Sequence, residues 1–269
     1  MSRQDGSAVG RSRSPVIDFH VHPSITRSFD RQREAVDWIL REAHSYGVDT
    51  IVLSGLTDLG PSITPEDVRE GNDYVLRFMA EHPEEIIGLC YTSPLHGYEA
   101  IREIDRCIGA GMRGIKLLTA CAMSDARVDP IAARAAELKA PILQHAWYKR
   151  DGQMPNESVP ADVAAQAAGH PKTMIVMAHL TGCNERGMAD IAPYPNVHVD
   201  TSGSEPEAGI TEMAVRKLGA RRIVFGTDAS GRGYAAALGK VLGAKITAKE
   251  RALILGGNAA RLLQGRLPK

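Results

Sequence analysis

His20 and His22 stand two residues apart at the end of an apolar, β-branched run over residues 16–22, Val-Ile-Asp-Phe-His-Val-His. On a strand, alternate side chains share a face. Both imidazoles would therefore point the same way at the C-terminal end and could grip one metal ion through neutral ring nitrogens. Such a pair also occurs as plain structure, so its meaning rests on partners elsewhere. Later apolar runs contain or end in Lys116, His145, His179, Asp200 with Thr201, and Asp228. With only nine histidines in 269 residues, chance seldom puts several at the ends of such runs.

The elements that must carry these groups alternate along the chain. Short apolar runs suited to buried parallel strands occur at residues 16–22, 50–56, 86–92, 114–120, 141–147, 173–180, 197–202 and 221–228. Between them lie stretches with apolar residues at helical spacing: 31–46, stopped by Gly47, then 64–82 with Thr64 as N-cap and Pro65 in the first turn. Further helices are expected at 98–110, 129–139, 161–168, 183–194 and 208–218. A last one opens on a Thr247/Glu250 capping box, is broken at Gly256-Gly257 and resumes over 258–263. Eight strand-then-helix units call for parallel pairing and close into a single (β/α)8 TIM barrel over residues 15–269, preceded by a disordered leader at 1–14. An open doubly wound sheet would show a glycine-rich phosphate turn after its first strand. Here that turn is His-Pro-Ser.

Composition narrows the partners. Thirty-two basic residues balance thirty-two acidic ones, which argues against nucleic acid or an anionic membrane surface and favours a small-molecule substrate. No apolar run reaches membrane-spanning length, and the polar opening lacks the apolar centre of a signal peptide, so a cytoplasmic protein is expected. Cys90, Cys107, Cys121 and Cys183 form no Cys-x-x-Cys pair and read as buried, reduced thiols. A homo-oligomer paired through outer helices is compatible with a barrel of this size.

In such a barrel the C-terminal strand ends form the active-site face. His20, His22, His145, His179 and Asp228 then converge on one mouth, a donor set suited to zinc, manganese or iron. With these residues in place, the chain resembles the amidohydrolase superfamily of metal-dependent barrels, closest to its amidohydrolase-related branch. The resemblance is carried by VIDFHVH, GIKL, QHAW, MAHLTG, DTSGS, FGTDAS and ILGGNAARLL, in family order across nearly the whole chain. It implies one divalent ion, zinc before manganese or iron, held by His20, His22, His145 and Asp228 and acidifying a water. Asp228 would also take that water's proton. His179 would either complete a second metal site or polarise the substrate. Lys116 would be a free amine facing the substrate, the alternative being a carbamate bridging two metals.

Arg27 in the first loop, with Trp147, Lys149 and Arg150 after His145, could clamp a carboxylate or stack on a ring. Glu205, Glu207 and Arg232 stand at the correct end without an assigned role. Asp200 is expected to hydrogen-bond a ligand histidine, and His198 to lie one layer deeper on the same face. His44, His82 and His170 are expected on the surface. The functional expectation is a metal-dependent hydrolase acting with metal-activated water on a small amide, lactone or ester. Its alternatives are a decarboxylase or hydratase of an aromatic or unsaturated acid, and a non-catalytic barrel retaining metal ligands.

Overall fold

Eight parallel strands hydrogen-bond in sequence order, each to the next, in the computed structural model, which describes residues 14–58, 60–203 and 207–264. The expected leader, Ser14 apart, and Glu205 lie outside those residues. The strands are β1 (Ile17–Val21), β2 (Thr50–Ser54), β3 (Ile86–Tyr91), β4 (Gly114–Leu117), β5 (Ile142–Gln144), β6 (Ile175–Met177), β7 (Val197–Asp200) and β8 (Ile223–Val224). Bonds from Phe19 N to Phe225 O and from Asp228 N to His20 O, both 2.8 Å, join the last strand to the first. The result is a single (β/α)8 TIM barrel.

The helices follow from capping and apolar spacing. They are α1 (Phe29–Ser45), α2 (Pro65–Glu81), α3 (Tyr98–Gly109), α4 (Asp129–Leu138), α5 (Pro160–Gly169), α6 (Leu180–Ile191), α7 (Ile210–Leu218) and α8 (Tyr234–Leu242). Thr64 and Asp67 form a capping box at α2, and Val36, Ile39, Leu40 and Ala43 are the face that α1 buries. Strand residues such as Ile51, Ile115 and Ile223 pack outward against these helices, while Ile17, Phe19, Val52, Leu89 and Val176 form a separate cluster with Leu262 and Leu263. All four cysteines are free and buried. Among the described residues no helix is long and apolar enough to cross a membrane.

Two expectations are corrected. The segment after β8, expected without a helix, forms α8, a glycine-interrupted stretch with no side-chain cap that buries Tyr234, Leu238 and Val241. At the C-terminus the Thr247/Glu250 capping box starts α9 (Ala248–Ala252) as expected, but Gly256-Gly257 does not break the helix. The chain passes through a π-helical turn, Leu253–Gly257, straight into α10 (Asn258–Leu262). A Cβ on Gly256 would lie 1.9 Å from the Pro15 carbonyl oxygen, so the glycine serves close packing beneath β1 rather than termination.

His198 on β7 is 2% exposed, with no hydrogen-bond partner for Nδ1. Burial, then the Arg261 and Arg222 cations, push it down to about 4. It stands two residues inside the C-terminal end of β7, in register with Val176 of β6. Because its folded-state value is depressed, the stability it contributes is present above the ordinary value of 6.5 and is lost as pH falls from there towards 4. His198→Leu should shrink the loss of urea-unfolding free energy over that interval by about 3 kcal/mol. An unchanged acid limb would refute this assignment.

Candidate metal centre

The C-terminal ends of the strands surround a cavity of about 530 Å³. His20, His22, Lys116, His145, His179 and Asp228 line it, together with Ile25, Leu56, Leu118, Trp147 and Met154 and the cations Lys149 and Arg232. His20 comes from β1, whose register against β2 shifts between Asp18 and Val21, and both His20 and His22 line the cavity. His22 and Asp228 lie just beyond the ends of β1 and β8. His179 precedes α6 with a left-handed φ of 71°, and Asp228 has φ 67°. Both are backbone conformations that cost a non-glycine residue on the order of 1 kcal/mol or more, and such strain gathers at functional sites.

Proton bookkeeping shows what these rings present to the cavity. A neutral imidazole has one N–H and one acceptor nitrogen. His20 Nδ1 donates to Asp200 Oδ2 at 2.8 Å, which leaves Nε2 as the acceptor. His145 Nε2 donates to Glu157 Oε1 at 2.7 Å, which leaves Nδ1. The Ser202 hydroxyl gives its proton to Asp200 Oδ1, so His179 Nδ1 donates to Ser202 Oγ at 2.9 Å and Nε2 remains. His22 has an acceptor on each side, the Pro23 carbonyl 3.3 Å from Nδ1 and Asp228 Oδ1 2.9 Å from Nε2, and a neutral ring can donate to one of them.

The freed nitrogens then face other acceptors. His145 Nδ1 and His179 Nε2 are 3.0 Å apart. Asp228 Oδ1 lies 2.9 Å from His22 Nε2 and 3.4 Å from His20 Nε2. Lys116 Nζ, 3.0 Å from His20 Nε2, supplies a donor there. Lone pairs crowded against lone pairs are what a cation would relieve, and nitrogen and carboxylate donors suit a borderline divalent ion. The residues therefore fit a metal. Ligand atoms within 4.8 Å of one another form two groups, His20/His22/Asp228 and His20/His179/Asp200. His145 stands outside both and joins the second through His179.

Burial sets the charge states. It lowers His20, with Lys116 adding to the effect, and it lowers His145 and His179, so burial favours the neutral form of these imidazoles. It also pushes Lys116 down to about 8, against the opposing pull of Asp228 and Asp200. Burial works to raise Asp228 and Asp200, but the imidazoles and hydrogen bonds around them prevail and hold both well below the usual carboxylate range. Glu157 behaves alike: burial raises it, while hydrogen bonds from His145, Lys149 and the Met154 N–H hold it at about 2.

The softer sequence candidates separate here. Trp147 packs on His179, ring centroids 4.8 Å apart, and comes so near Gly182 that a Cβ there would lie 2.5 Å from its indole. Lys149 and Arg232 line the cavity. Arg27 does not; it pairs with Asp67 of the α2 capping box at 2.9 Å. Arg150 is exposed and also outside the lining. His44 and His82 pair with Glu85 and His170 with Asp129, away from the mouth. Two residues that hold the rings, Ser202 and Glu157, were not singled out by sequence reasoning. Ser202 had a visible signal, two positions after Asp200 at the end of β7; Glu157, in a polar loop, had none.

Asp200 Oδ1 also accepts from the backbone N–H groups of His179 and Ser202, at 2.9 Å each. Asp200→Ala would leave these donors and His20 Nδ1 unpaired in a dry site. Thermal unfolding of the metal-free protein should show a loss of at least about 3 kcal/mol. A loss under about 1 kcal/mol would contradict this network.

A family model described as amidohydrolase matches residues 17–265. No curated protein matches the chain. Among solved structures, the 2,6-dihydroxybenzoate decarboxylase from Rhizobium is 18% identical, with a TM-score of 0.74 over 94% of this chain and 99% of that one. The dihydroxybenzoic acid decarboxylase from a Polaromonas species, with bound manganese and the inhibitor 2-nitroresorcinol, is 18% identical, TM-score 0.73, over 94% and 97%. The 4-oxalomesaconate hydratase from Rhodopseudomonas palustris is 16% identical, TM-score 0.69, over 93% and 95%. At such identities the likeness is one of fold.

Proposed function

The chain belongs to the amidohydrolase family, matched over residues 17–265, and from that membership we propose that it is a metal-dependent hydrolase of a small amide, lactone or ester. The observation that carries the proposal is the convergence of neutral imidazole acceptors and an ionised Asp228 on the floor of one cavity. His20, His22, His145 and Asp228 would hold one divalent ion. Zinc suits the donors best, and manganese or iron remains compatible. When bound, the ion would supply Lewis acidity and make a water acidic enough to react near neutral pH.

The remaining steps belong to the chain. Asp228 faces the cavity as an acceptor and can take a proton from the attacking water. His179, held through Ser202, directs Nε2 into the cavity and can orient the water or the substrate carbonyl. Lys116, buried and lowered to about 8, serves as a free amine rather than a carbamate bridging two metals. Leu56, Leu118 and Trp147 exclude water, while Lys149 and Arg232 favour a substrate with an anionic group.

Those last features also support a second reading, decarboxylation or hydration of an aromatic or unsaturated acid, because a flat acid suits an indole wall beside two cations. The shared fold with two benzoate-type decarboxylases and a hydratase favours keeping it. A non-catalytic barrel is the third reading; an unimpaired cellular role after combined His20→Ala and His22→Ala would select it.

Chelation should abolish turnover on some member of a panel of lactones, amides, esters and hydroxybenzoates, and zinc or manganese should restore it. Asp228→Asn should lower kcat by about 100-fold or more. Indifference to chelator would overturn metal-dependent catalysis, and carbon dioxide release would select the decarboxylase. Elemental analysis should give close to one metal per chain; a value near two would overturn the free amine at Lys116.

A further inference from the structure

We propose that Glu157 is the positioning residue for His145: it fixes the ring in the one tautomer that can ligate metal, and it is itself fixed by the loop that walls the cavity. This rests on the reading of His145 as a ligand. Glu157 lies between β5 and α5, where loop carboxylates ordinarily face water, yet its side chain is fully buried. A buried carboxylate is tolerated only when its oxygens are met by donors. Here four converge. His145 Nε2 and Lys149 Nζ reach Oε1, each at 2.7 Å, while Gln153 Nε2 at 2.9 Å and the Met154 N–H at 3.2 Å reach Oε2.

The consequence for the ring is chemical. A carboxylate only accepts, so His145 must keep its proton on Nε2, and Nδ1 turns its lone pair towards His179. Without Glu157 the proton could move to Nδ1 and block the ligating atom. Three of the four donors come from the loop, and two of the residues that supply them, Lys149 and Met154, line the cavity wall. One carboxylate therefore ties the wall of the pocket to its floor. A residue that merely stapled the loop would leave the tautomer and the metal affinity alone.

The test measures manganese or zinc affinity by competition with a chromophoric chelator, and reads the His145 tautomer from ring nitrogen shifts in the metal-free protein. Wild type should show His145 protonated at Nε2. Glu157→Ala should bind metal about 10- to 100-fold more weakly. Glu157→Gln should fall between, since its amide oxygen still accepts but carries no charge. The double variant His145→Ala/Glu157→Ala should be no weaker than His145→Ala alone. An Nδ1-protonated His145 in wild type, or wild-type affinity in folded Glu157→Ala, overturns the proposal. Should Glu157→Ala fail to fold, Glu157→Gln and the wild-type tautomer decide it. If His145→Ala leaves affinity unchanged, the ligand assignment falls and the proposal with it. If His145→Ala weakens binding and Glu157→Ala does not, only the positioning role falls.

Discussion

Acceptor atoms face one another at the floor of this barrel, and hydrogen bonds on the far side of each ring keep them there. An imidazole free to choose its tautomer would turn a proton into the crowd and relieve it. Asp200 denies that choice to His20 directly and to His179 through Ser202; Glu157 denies it to His145. In a dry interior these bonds are stronger than in water, so the outer carboxylates govern what the inner nitrogens can do. The cavity is basic in the Lewis sense because its surroundings are acidic in charge.

Barrel closure and site assembly are one event. The Asp228 N–H donates to the His20 carbonyl and the His22 N–H to Ala229, both at 2.8 Å, so the same seam that joins last strand to first sets Asp228 beside both imidazoles. Asp200 meets His20 across a sequence separation of 180, and His22 meets Asp228 across one of 206. No local segment holds the centre. The ends of β1, β4, β5, β6, β7 and β8 contribute the pieces, and the order of the sheet decides which pieces touch.

How far this was legible in the sequence depended on whether the signal was local. Strand runs, the N-cap at Thr64 and the capping box at Thr247 are local, and they placed the barrel. The helix at Tyr234–Leu242 escaped because Gly239 interrupts it and no polar side chain caps it; burial of its apolar face supplies what propensity does not. Gly256 read as a breaker, since glycine's lack of a Cβ serves both turns and close approach, and only the third dimension shows Pro15 beside it. Charge type alone pointed to Arg27 and Arg150, yet a loop cation goes wherever its nearest carboxylate lies, and for Arg27 that is Asp67. Glu157 is the reverse case: nothing near it in sequence marks a residue whose role is fixed by a ring twelve positions away.

Left-handed backbone at His179 and Asp228 has a consequence for anyone who would evolve this protein. At both positions the φ angle suits glycine, so the local chain would relax if the functional side chain were given up. A laboratory selection scored on heat resistance alone would reward that exchange and erode the centre while improving the scaffold. Screens meant to harden this barrel therefore need retention of chemistry as a second criterion from the first round.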